Sequence, residues 1–210
     1  MPQVSFNELV AAARDSIISF PTDTVPALAI YPEQAEKLFQ LKQRSADKPL
    51  ILMGACAEDL WPFVQGRSVE WSVWQQMADQ YWPGALTLVL PAAERVPIAM
   101  HPHDPQTIGL RVPDCQVARE ILAQTGPLAT TSANLSGQPT LTSLDEIALQ
   151  FPDVMTPESS SFPEGQRFEG SPNREIDHSR DAIPSTVVKW RPDFFWEILR
   201  QGKVKLQFKK

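Results

Sequence analysis

The sequence predicts a single domain of the α/β class, with mixed α+β character, on three observations. Short apolar runs with strand character alternate with segments of helical period along the chain. A length of 210 residues suits one large domain or two small ones of ordinary globular composition. Two late apolar segments, PSTVVKW and FFWEILR, are typical of strands that need the same core as the earlier ones. One domain over residues 1–210 is therefore the simpler expectation.

The helices and strands of the first half follow from local signals. Ser5 is a helix N-cap and Glu8 stands at the capping-box position, so a helix is expected before the first strand. Pro32 suits a first helical turn and precedes apolar residues at a helical period, which predicts a helix that ends at Lys42. In order, we expect a helix over 5–14, a strand over 16–20, a helix over 32–42, a strand over 50–53 and helices over 57–64 and 68–80.

The second half continues the alternation and contains one long irregular segment. The stretches WPGALTLVLP and TIGLRVPD each contain a strand, and GPLATTSANLSGQPT is a strand that runs into a hydroxyl-rich loop. Helices are expected over 114–124 and 142–149. Residues 156–183 are dense in Pro, Ser, Gly and charged residues, which predicts a mobile loop rather than a linker between domains.

Charge and cysteine usage exclude several classes of protein. The net charge of −6 argues against a protein that coats nucleic acid. Nine of the acidic residues fall within 145–182, however, so the rest of the chain is neutral and has room for a local cationic pocket. No apolar run is long enough to span a bilayer, no secretory signal is recognisable, and Cys56 and Cys115 are isolated. We therefore expect a cytoplasmic protein without membrane contact, disulfides or a zinc site.

Two groups of polar residues are candidate ligand contacts. The loop TTSANLSGQPT follows an apolar strand and is crowded with hydroxyls, although a turn that caps its own backbone is the alternative. The second group is cationic, and solvated surface charge is its alternative: Lys42, Arg44, Lys48, Arg111 and Arg200. Guanidinium and ammonium groups suit phosphate and carboxylate oxygens, whereas hydroxyls suit amino-acid and ribose groups. Together the two groups predict a pocket for a phosphorylated, carboxylate-bearing ligand.

The common nucleotide and metal motifs are missing from the sequence. Neither G-x-x-x-x-G-K-[ST] nor G-x-G-x-x-G occurs, which argues against P-loop and Rossmann chemistry. His101 and His103 lie between prolines without a third ligand nearby, so a surface loop is favoured over a metal site and no metal ligand is assigned. The basic residues from Arg200 to Lys210 are ascribed to a frayed tail rather than to RNA contact.

The chain contains seven segments in the following order: FPTDTVPALA, KQRSADKPL, WPGALTLVLP, GLRVPD, TSANLSGQPT, PSTVV and ILRQGKV. In this order and at about this spacing they resemble the YrdC family of threonylcarbamoyl-adenylate synthases. The resemblance implies a twisted mixed sheet with flanking helices around a concave, positively charged cavity. It implies a reaction of L-threonine, bicarbonate and ATP, with Mg²⁺, that yields threonylcarbamoyl-AMP and pyrophosphate. The product serves the N6-threonylcarbamoyl modification of adenosine 37 in tRNA, so tRNA or double-stranded RNA and the transfer proteins are the implied partners. We expect the short, stand-alone form of the family.

The resemblance also implies roles for individual residues. The expected contacts of threonine are Thr24, Arg111, Thr130 and Ser185, with Arg111 at its carboxylate. The expected contacts of ATP are Arg44, Lys48, Thr107, Ser132, Asn134, Thr140 and Arg200. The catalytic cations are Lys42, Arg44 and Lys48. These groups hold two anions together while a carbamate oxygen attacks the α-phosphate, so no side-chain nucleophile is required.

The chain departs from the family pattern at three places, which keeps alternatives open. Pro26-Ala27 stands where Tyr-Gly is usual, Ser45 replaces a common proline, and the acidic segment 156–183 replaces a short glycine-rich one. We expect segment 156–183 to close over the adenylate and to exclude water from it. Two alternatives to the synthase remain: a YrdC-like nucleotide- or RNA-binding paralogue without this activity, and a small-molecule sensor.

Overall fold

The helices and strands alternate along the chain, as the sequence predicts. The computed structural model describes residues 3–43, 49–101, 105–158 and 183–206. The strands are β1 Gln3–Val4, β2 Ile18–Phe20, β3 Ala27–Ile30, β4 Ile51–Met53, β5 Leu86–Pro91, β6 Thr107–Arg111, β7 Leu128–Ser132, β8 Thr156–Pro157, β9 Thr186–Arg191 and β10 Phe195–Arg200. The helices are α1 Phe6–Ala12, α2 Glu36–Leu41, α3 Ala57–Leu60, α4 Ser68–Tyr81, α5 Gln116–Thr125 and α6 Leu144–Gln150.

Eight of these strands form one mixed sheet in the order β10-β9-β5-β6-β4-β7-β3-β2. The pairs β5–β9 and β4–β6 are parallel, and the other five neighbouring pairs are antiparallel. Strands β1 and β8 form a separate parallel pair of two residues each. A mixed sheet with flanking helices confirms the predicted fold class. Strands β9 and β10, which follow the long acidic segment, belong to the same sheet as the earlier strands.

Local signals explain where the helices begin and end. Ser5 and Glu8 form the predicted capping box at the start of α1, and Ser143 forms another with Glu146 at the start of α6. The helix predicted over 57–64 is instead α3 followed by a 3-10 turn over Trp61–Phe63, because Pro62 has no amide N–H to continue the α-helical ladder. The helix predicted over 32–42 likewise begins with a 3-10 turn at Pro32.

Three strands were not predicted from the sequence. The most important is β3, which lies between β2 and β7 inside the sheet and is buried throughout. Its four residues follow Pro26 directly and form a hairpin with β2, whose loop carries the hydroxyl-rich residues 21–26. Strands β1 and β8 were missed because two residues do not establish an alternating pattern.

The two faces of the sheet are covered differently. On one face, alternate residues such as Leu52, Leu88 and Leu110 pack in a large apolar cluster with Trp74 of α4. On the other face, α1 and α5 cover the end at β2, β3, β7 and β4 through a second cluster that includes Phe20 and Met53. The cavity described below lies on the same face and extends from β9 across β5 and β6 to β4 and β7.

Two predictions about the fold are not tested by the described residues. One is the single domain over residues 1–210. The other is the mobile loop over 156–183, because residues 159–182 lie outside the described part of the chain. Among the helices that the structure describes, none is long and apolar enough to cross a membrane.

Candidate active site

A cavity of about 460 Å³ lies on the incompletely covered face of the sheet. Its floor includes a row of residues that are opposite one another in successive strands: Lys189, Val89, Gly109, Ile51 and Thr130. Because side chains alternate between the faces of a strand, the registers place all five on the same face. The sheet therefore brings residues from β9, β5, β6, β4 and β7 to one surface.

Eight residues predicted to contact threonine or ATP line this cavity: Thr24, Thr107, Arg111, Thr130, Ser132, Thr140, Ser185 and Arg200. Of the other predicted residues, Lys42 and Asn134 are described but are not part of the lining. Arg44 and Lys48 lie outside the described residues, although Pro49, which follows them, lines the cavity. The structure thus gathers most of the predicted residues, whereas their roles stay predictions.

Arg111 lies at the end of β6 and is only 3% exposed. Its guanidinium donates through Nη2 to Asp23 Oδ1 at 2.6 Å, through Nη1 to Thr24 Oγ1 at 2.9 Å and through Nε to the Gly84 carbonyl at 3.2 Å. Burial lowers the pKa of Arg111, and the charge of Asp23 opposes this effect. A guanidinium has five N–H donors, so two remain beyond these three contacts.

The loop between β2 and β3 holds its hydroxyls in a fixed arrangement. Thr22 Oγ1 donates to the Val25 carbonyl at 2.7 Å and accepts the Thr24 amide at 3.2 Å. The Thr22 and Thr24 hydroxyls lie 3.1 Å apart. Lys203 donates from Nζ to the Asp23 carbonyl at 2.7 Å, which ties this loop to the segment after β10. The Thr24 hydroxyl is thereby oriented before a ligand arrives.

Ser185 forms the centre of a second polar group at the start of β9. Its hydroxyl lies 2.9 Å from that of Thr87 and accepts from Arg200 Nη2 at 3.1 Å. Arg200 also donates to the Ser185 carbonyl through Nε and Nη2, at 3.1 and 2.9 Å. Burial lowers the pKa of Arg200. The group combines two hydroxyls and a guanidinium on strands that are adjacent in the sheet.

Lys42 and Asn134 support the hydroxyl-rich loop after β7. Lys42 is 1% exposed, and its Nζ donates to the Ser132 carbonyl and, at 2.9 Å, to Asn134 Oδ1. The Ser132 hydroxyl also donates to Asn134 Oδ1 at 2.6 Å, and the Asn134 amide donates to the Leu135 and Gln138 carbonyls. In the described contacts, Lys42 therefore acts on the loop that presents Ser132 to the cavity.

Sequence reasoning missed several residues of the lining. Thr87, Thr131 and Lys189 sit in strands whose apolar character drew attention to the core. The period-two alternation with buried Leu88 and Val188 would have placed Thr87 and Lys189 on the opposite face. The prediction of a surface loop was wrong for His101, which is 4% exposed and lines the cavity. His103 lies outside the described residues.

The described residues contain no cluster of three or more His, Cys, Asp or Glu side chains that is suited to hold a metal ion. The two cysteines are free thiols, and burial raises the pKa of both Cys56 and Cys115. A raised pKa keeps a thiol protonated and weakly nucleophilic near neutral pH. The described lining offers hydroxyls, two guanidinium groups, the Lys189 ammonium and the His101 imidazole.

These features are those of an α/β domain whose sheet carries a cavity for a small molecule, lined by hydroxyl and guanidinium groups. The family model Sua5_yciO_yrdC, described as Telomere recombination, matches residues 11–157. The chain therefore belongs to the Sua5/YciO/YrdC family. Residues 183–206, which contribute Ser185, Lys189 and Arg200 to the cavity, lie beyond the matched range.

Curated relatives and solved structures agree with this assignment. The threonylcarbamoyl-AMP synthase of Vibrio campbellii is 34% identical over 154 residues, which cover 69% of this chain and 80% of that protein. The synthase of Pyrococcus abyssi is 34% identical over 139 residues, which cover 64% of this chain but only 40% of that protein. The structure of P. abyssi Sua5 complexed with L-threonine superposes with a TM-score of 0.74 at 27% identity, covering 96% of this chain and 56% of that one.

Proposed function

We propose that this protein is a threonylcarbamoyl-AMP synthase, which forms threonylcarbamoyl-AMP and pyrophosphate from L-threonine, bicarbonate and ATP. The observation that carries the proposal is the buried Arg111, which is held by Asp23 and Thr24 in a cavity that also presents Ser185 and Arg200. The family relatives named threonylcarbamoyl-AMP synthase support it. So does the similar fold of a Sua5 protein that was solved with L-threonine.

In this proposal, Arg111 receives the carboxylate of threonine. Two of its five N–H donors are not used by Asp23, Thr24 or Gly84, and two donors match the two oxygens of a carboxylate. The hydroxyls of Thr24 and Ser185 suit the amine and hydroxyl of the same substrate. Because Asp23 and Gly84 already fix the guanidinium, little side-chain entropy is lost when threonine binds.

The reaction needs positioning and charge stabilisation rather than a protein nucleophile. The threonine amine takes up bicarbonate to give a carbamate and water. A carbamate oxygen then attacks the α-phosphorus, and the bond to the β-phosphate breaks with release of pyrophosphate. Arg200 in the cavity, with Arg44 and Lys48 as predicted contacts, supplies positive charge for the phosphates, which is the main electrostatic requirement of such a step.

Magnesium fits the proposal as part of the nucleotide. The described residues offer no carboxylate cluster for it, and Mg²⁺ commonly binds phosphate oxygens and waters with few protein ligands. Bound in this way, the ion offsets phosphate charge. A cytoplasmic location and contacts with tRNA and the threonylcarbamoyl-transfer proteins belong to the same proposal, since the product serves tRNA modification.

The test is an assay for pyrophosphate release from ATP with each substrate omitted in turn. We expect release only when threonine and bicarbonate are both present, and serine should replace threonine poorly. A nucleotide- or RNA-binding paralogue or a sensor would bind ligands without this dependence. Release that is independent of either threonine or bicarbonate would contradict the proposed activity.

A further inference from the structure

Lys189 is a cationic residue of the cavity lining that neither the sequence motifs nor the family match identified. Lys189 lies in β9, where Val188 and Trp190 on either side are buried in the apolar cluster of the opposite face. The alternation of the strand therefore turns Lys189 and Val187 toward the cavity, and both line it. Lys189 stands at one end of the floor row that continues through Val89 and Gly109.

Among the described residues, the carboxylate that lies opposite Lys189 is already bound by an arginine. Glu197 of β10 is opposite Lys189 in the register, but its carboxylate is bound by Arg191 through Nε and Nη2 at 2.5 Å. In the described part of the chain, Lys189 has neither an ion-pair nor a hydrogen-bond partner. Arg111, by contrast, is paired with Asp23. A half-buried ammonium that faces a cavity in this way is a binding group for an anion.

The position of Lys189 in the cavity suits the phosphate chain of a nucleotide. Arg200 is paired with Val187, two residues before Lys189, so the two cations flank the same part of the cavity. On this face, the neighbours Val89 and Val187 are apolar and offer no hydrogen bonds, and Glu197 is engaged by Arg191. The Ser185 hydroxyl, which suits threonine, is hydrogen-bonded to Arg200 and not to Lys189. An ammonium acting as a point charge suits a phosphate chain.

We propose that Lys189 binds the β- or γ-phosphate of ATP and the pyrophosphate that leaves. The inference rests on the proposed function, since it assumes that the cavity takes ATP. Because the Arg111–Asp23 pair contributes little net charge, Lys189 and Arg200 are the charges that the described lining offers to a polyphosphate. Lys189 then stabilises the leaving group, which gains negative charge as the bond to the α-phosphate breaks.

The experiment compares Lys189→Gln with the wild type and with Lys205→Gln, which removes an exposed lysine outside the cavity lining. Calorimetry measures the binding of ATP, AMP, inorganic pyrophosphate and threonine to each protein, and a thermal melt checks the fold. We expect Lys189→Gln to weaken ATP and pyrophosphate binding about tenfold or more, with AMP and threonine unchanged. Lys205→Gln should match the wild type for all four ligands.

Unchanged affinity of Lys189→Gln for ATP and pyrophosphate would overturn the proposal. An equal loss of affinity for AMP and ATP would also overturn it, because the lysine would then contact the nucleoside or the α-phosphate. The same measurements distinguish a failure of this proposal from a failure of the proposed synthase activity. A wild-type protein that binds ATP and pyrophosphate but releases no pyrophosphate from ATP refutes the activity, while the comparison of ATP with AMP still decides the role of Lys189. A wild-type protein that binds neither ATP nor pyrophosphate refutes both.

Discussion

The guanidinium of Arg111 and the carboxylate of Asp23 meet at 2.6 Å, although the two residues are 88 positions apart in the chain. Both side chains are largely buried, with 4% and 11% of their surfaces exposed. The pair joins the end of β6 to the loop between β2 and β3 and thereby sets one wall of the cavity. Removing either partner alone leaves a buried charge without compensation, which is strongly unfavourable.

Arg111→Lys tests whether the planar set of guanidinium donors is needed, because the substitution keeps the positive charge. A lysine ammonium cannot donate at once to Asp23, Thr24 and Gly84 and still present two donors to a carboxylate. We expect the KM for threonine in the pyrophosphate-release assay to rise about tenfold or more, with a smaller change for ATP. Arg119→Lys, which alters an exposed arginine bound to the Ala55 carbonyl, is the control. Equal changes in both KM values would count against a carboxylate role.

Thr87→Val tests the hydroxyl pair at the start of β9. The substitution keeps the shape of the side chain and removes the hydroxyl that lies 2.9 Å from Ser185 Oγ. Ser185 Oγ still accepts from Arg200, so the stability should change by only about 1 kcal/mol. We expect a KM for threonine that is a few-fold higher, because Ser185 is less well oriented. A denaturation midpoint far below that of the wild type would show instead that the hydroxyl serves the fold.

Gly109→Ala tests the floor of the cavity. A Cβ at this position would meet Ile51 Cγ1 at 3.5 Å and Thr87 Cγ2 at 3.6 Å, which are ordinary contacts, so the fold should tolerate it. The new methyl group enters the space above the backbone, where a glycine permits close approach of a ligand. We expect an unchanged melting temperature and weaker binding of ATP or threonine by calorimetry.

Gly202→Ala provides the contrast, because there a Cβ would lie 2.3 Å from the Pro184 carbonyl oxygen and 2.5 Å from that of Ser185. This variant should be clearly destabilised in the same melt. If Gly109→Ala melts as low as Gly202→Ala, the glycine is needed for packing rather than for ligand access.

Glu70 links α4 to β9 and makes part of the stability dependent on pH. Its carboxylate accepts from Arg67 Nε and from the Arg67 amide, and also from Trp190 Nε1 at 3.0 Å, which lowers its pKa to about 2. A lowered pKa in the folded state stabilises the protein above the unfolded value of 4.5, and this contribution is lost as the pH falls toward 2.

Glu70→Gln should therefore be less stable than the wild type at pH 7, by about 1–3 kcal/mol in urea unfolding. The difference should shrink between pH 4.5 and pH 2. Glu94→Gln, at an exposed position, is the control and should follow the wild type at every pH. A difference between Glu70→Gln and the wild type that persists undiminished near pH 2 would show that the charge is not its source.

Local signals in the sequence were sufficient for most of the fold. Capping residues, apolar periods and prolines are short-range features, so α1, α4, α5 and α6 lie within a few residues of their predicted bounds. Strand β3 was missed because its four apolar residues show no alternation, being buried on both faces of the sheet.

The candidate site was predictable only in part, since it depends on contacts between distant segments. Arg111, Arg200 and the hydroxyls of the loop after β7 stood out because they lie at the ends of apolar segments, whereas Thr87 and Lys189 did not. The contacts between these residues could not be predicted, because no local signal in the sequence links Arg111 to Asp23 or Ser185 to Thr87. His101 was misjudged for the same reason, because its burial arises from the packing of its segment against the sheet rather than from its neighbours in the sequence.

In the proposed reaction, the cavity joins threonine, bicarbonate and the AMP part of ATP in one product. The most direct measurement is mass spectrometry of a reaction with ¹³C-labelled bicarbonate, L-threonine, ATP and Mg²⁺. We expect a threonylcarbamoyl adenylate that is one mass unit heavier than with unlabelled bicarbonate, with pyrophosphate in equal amount and no ADP. Formation of ADP and phosphate, or an adenylate without the label, would contradict the proposed reaction.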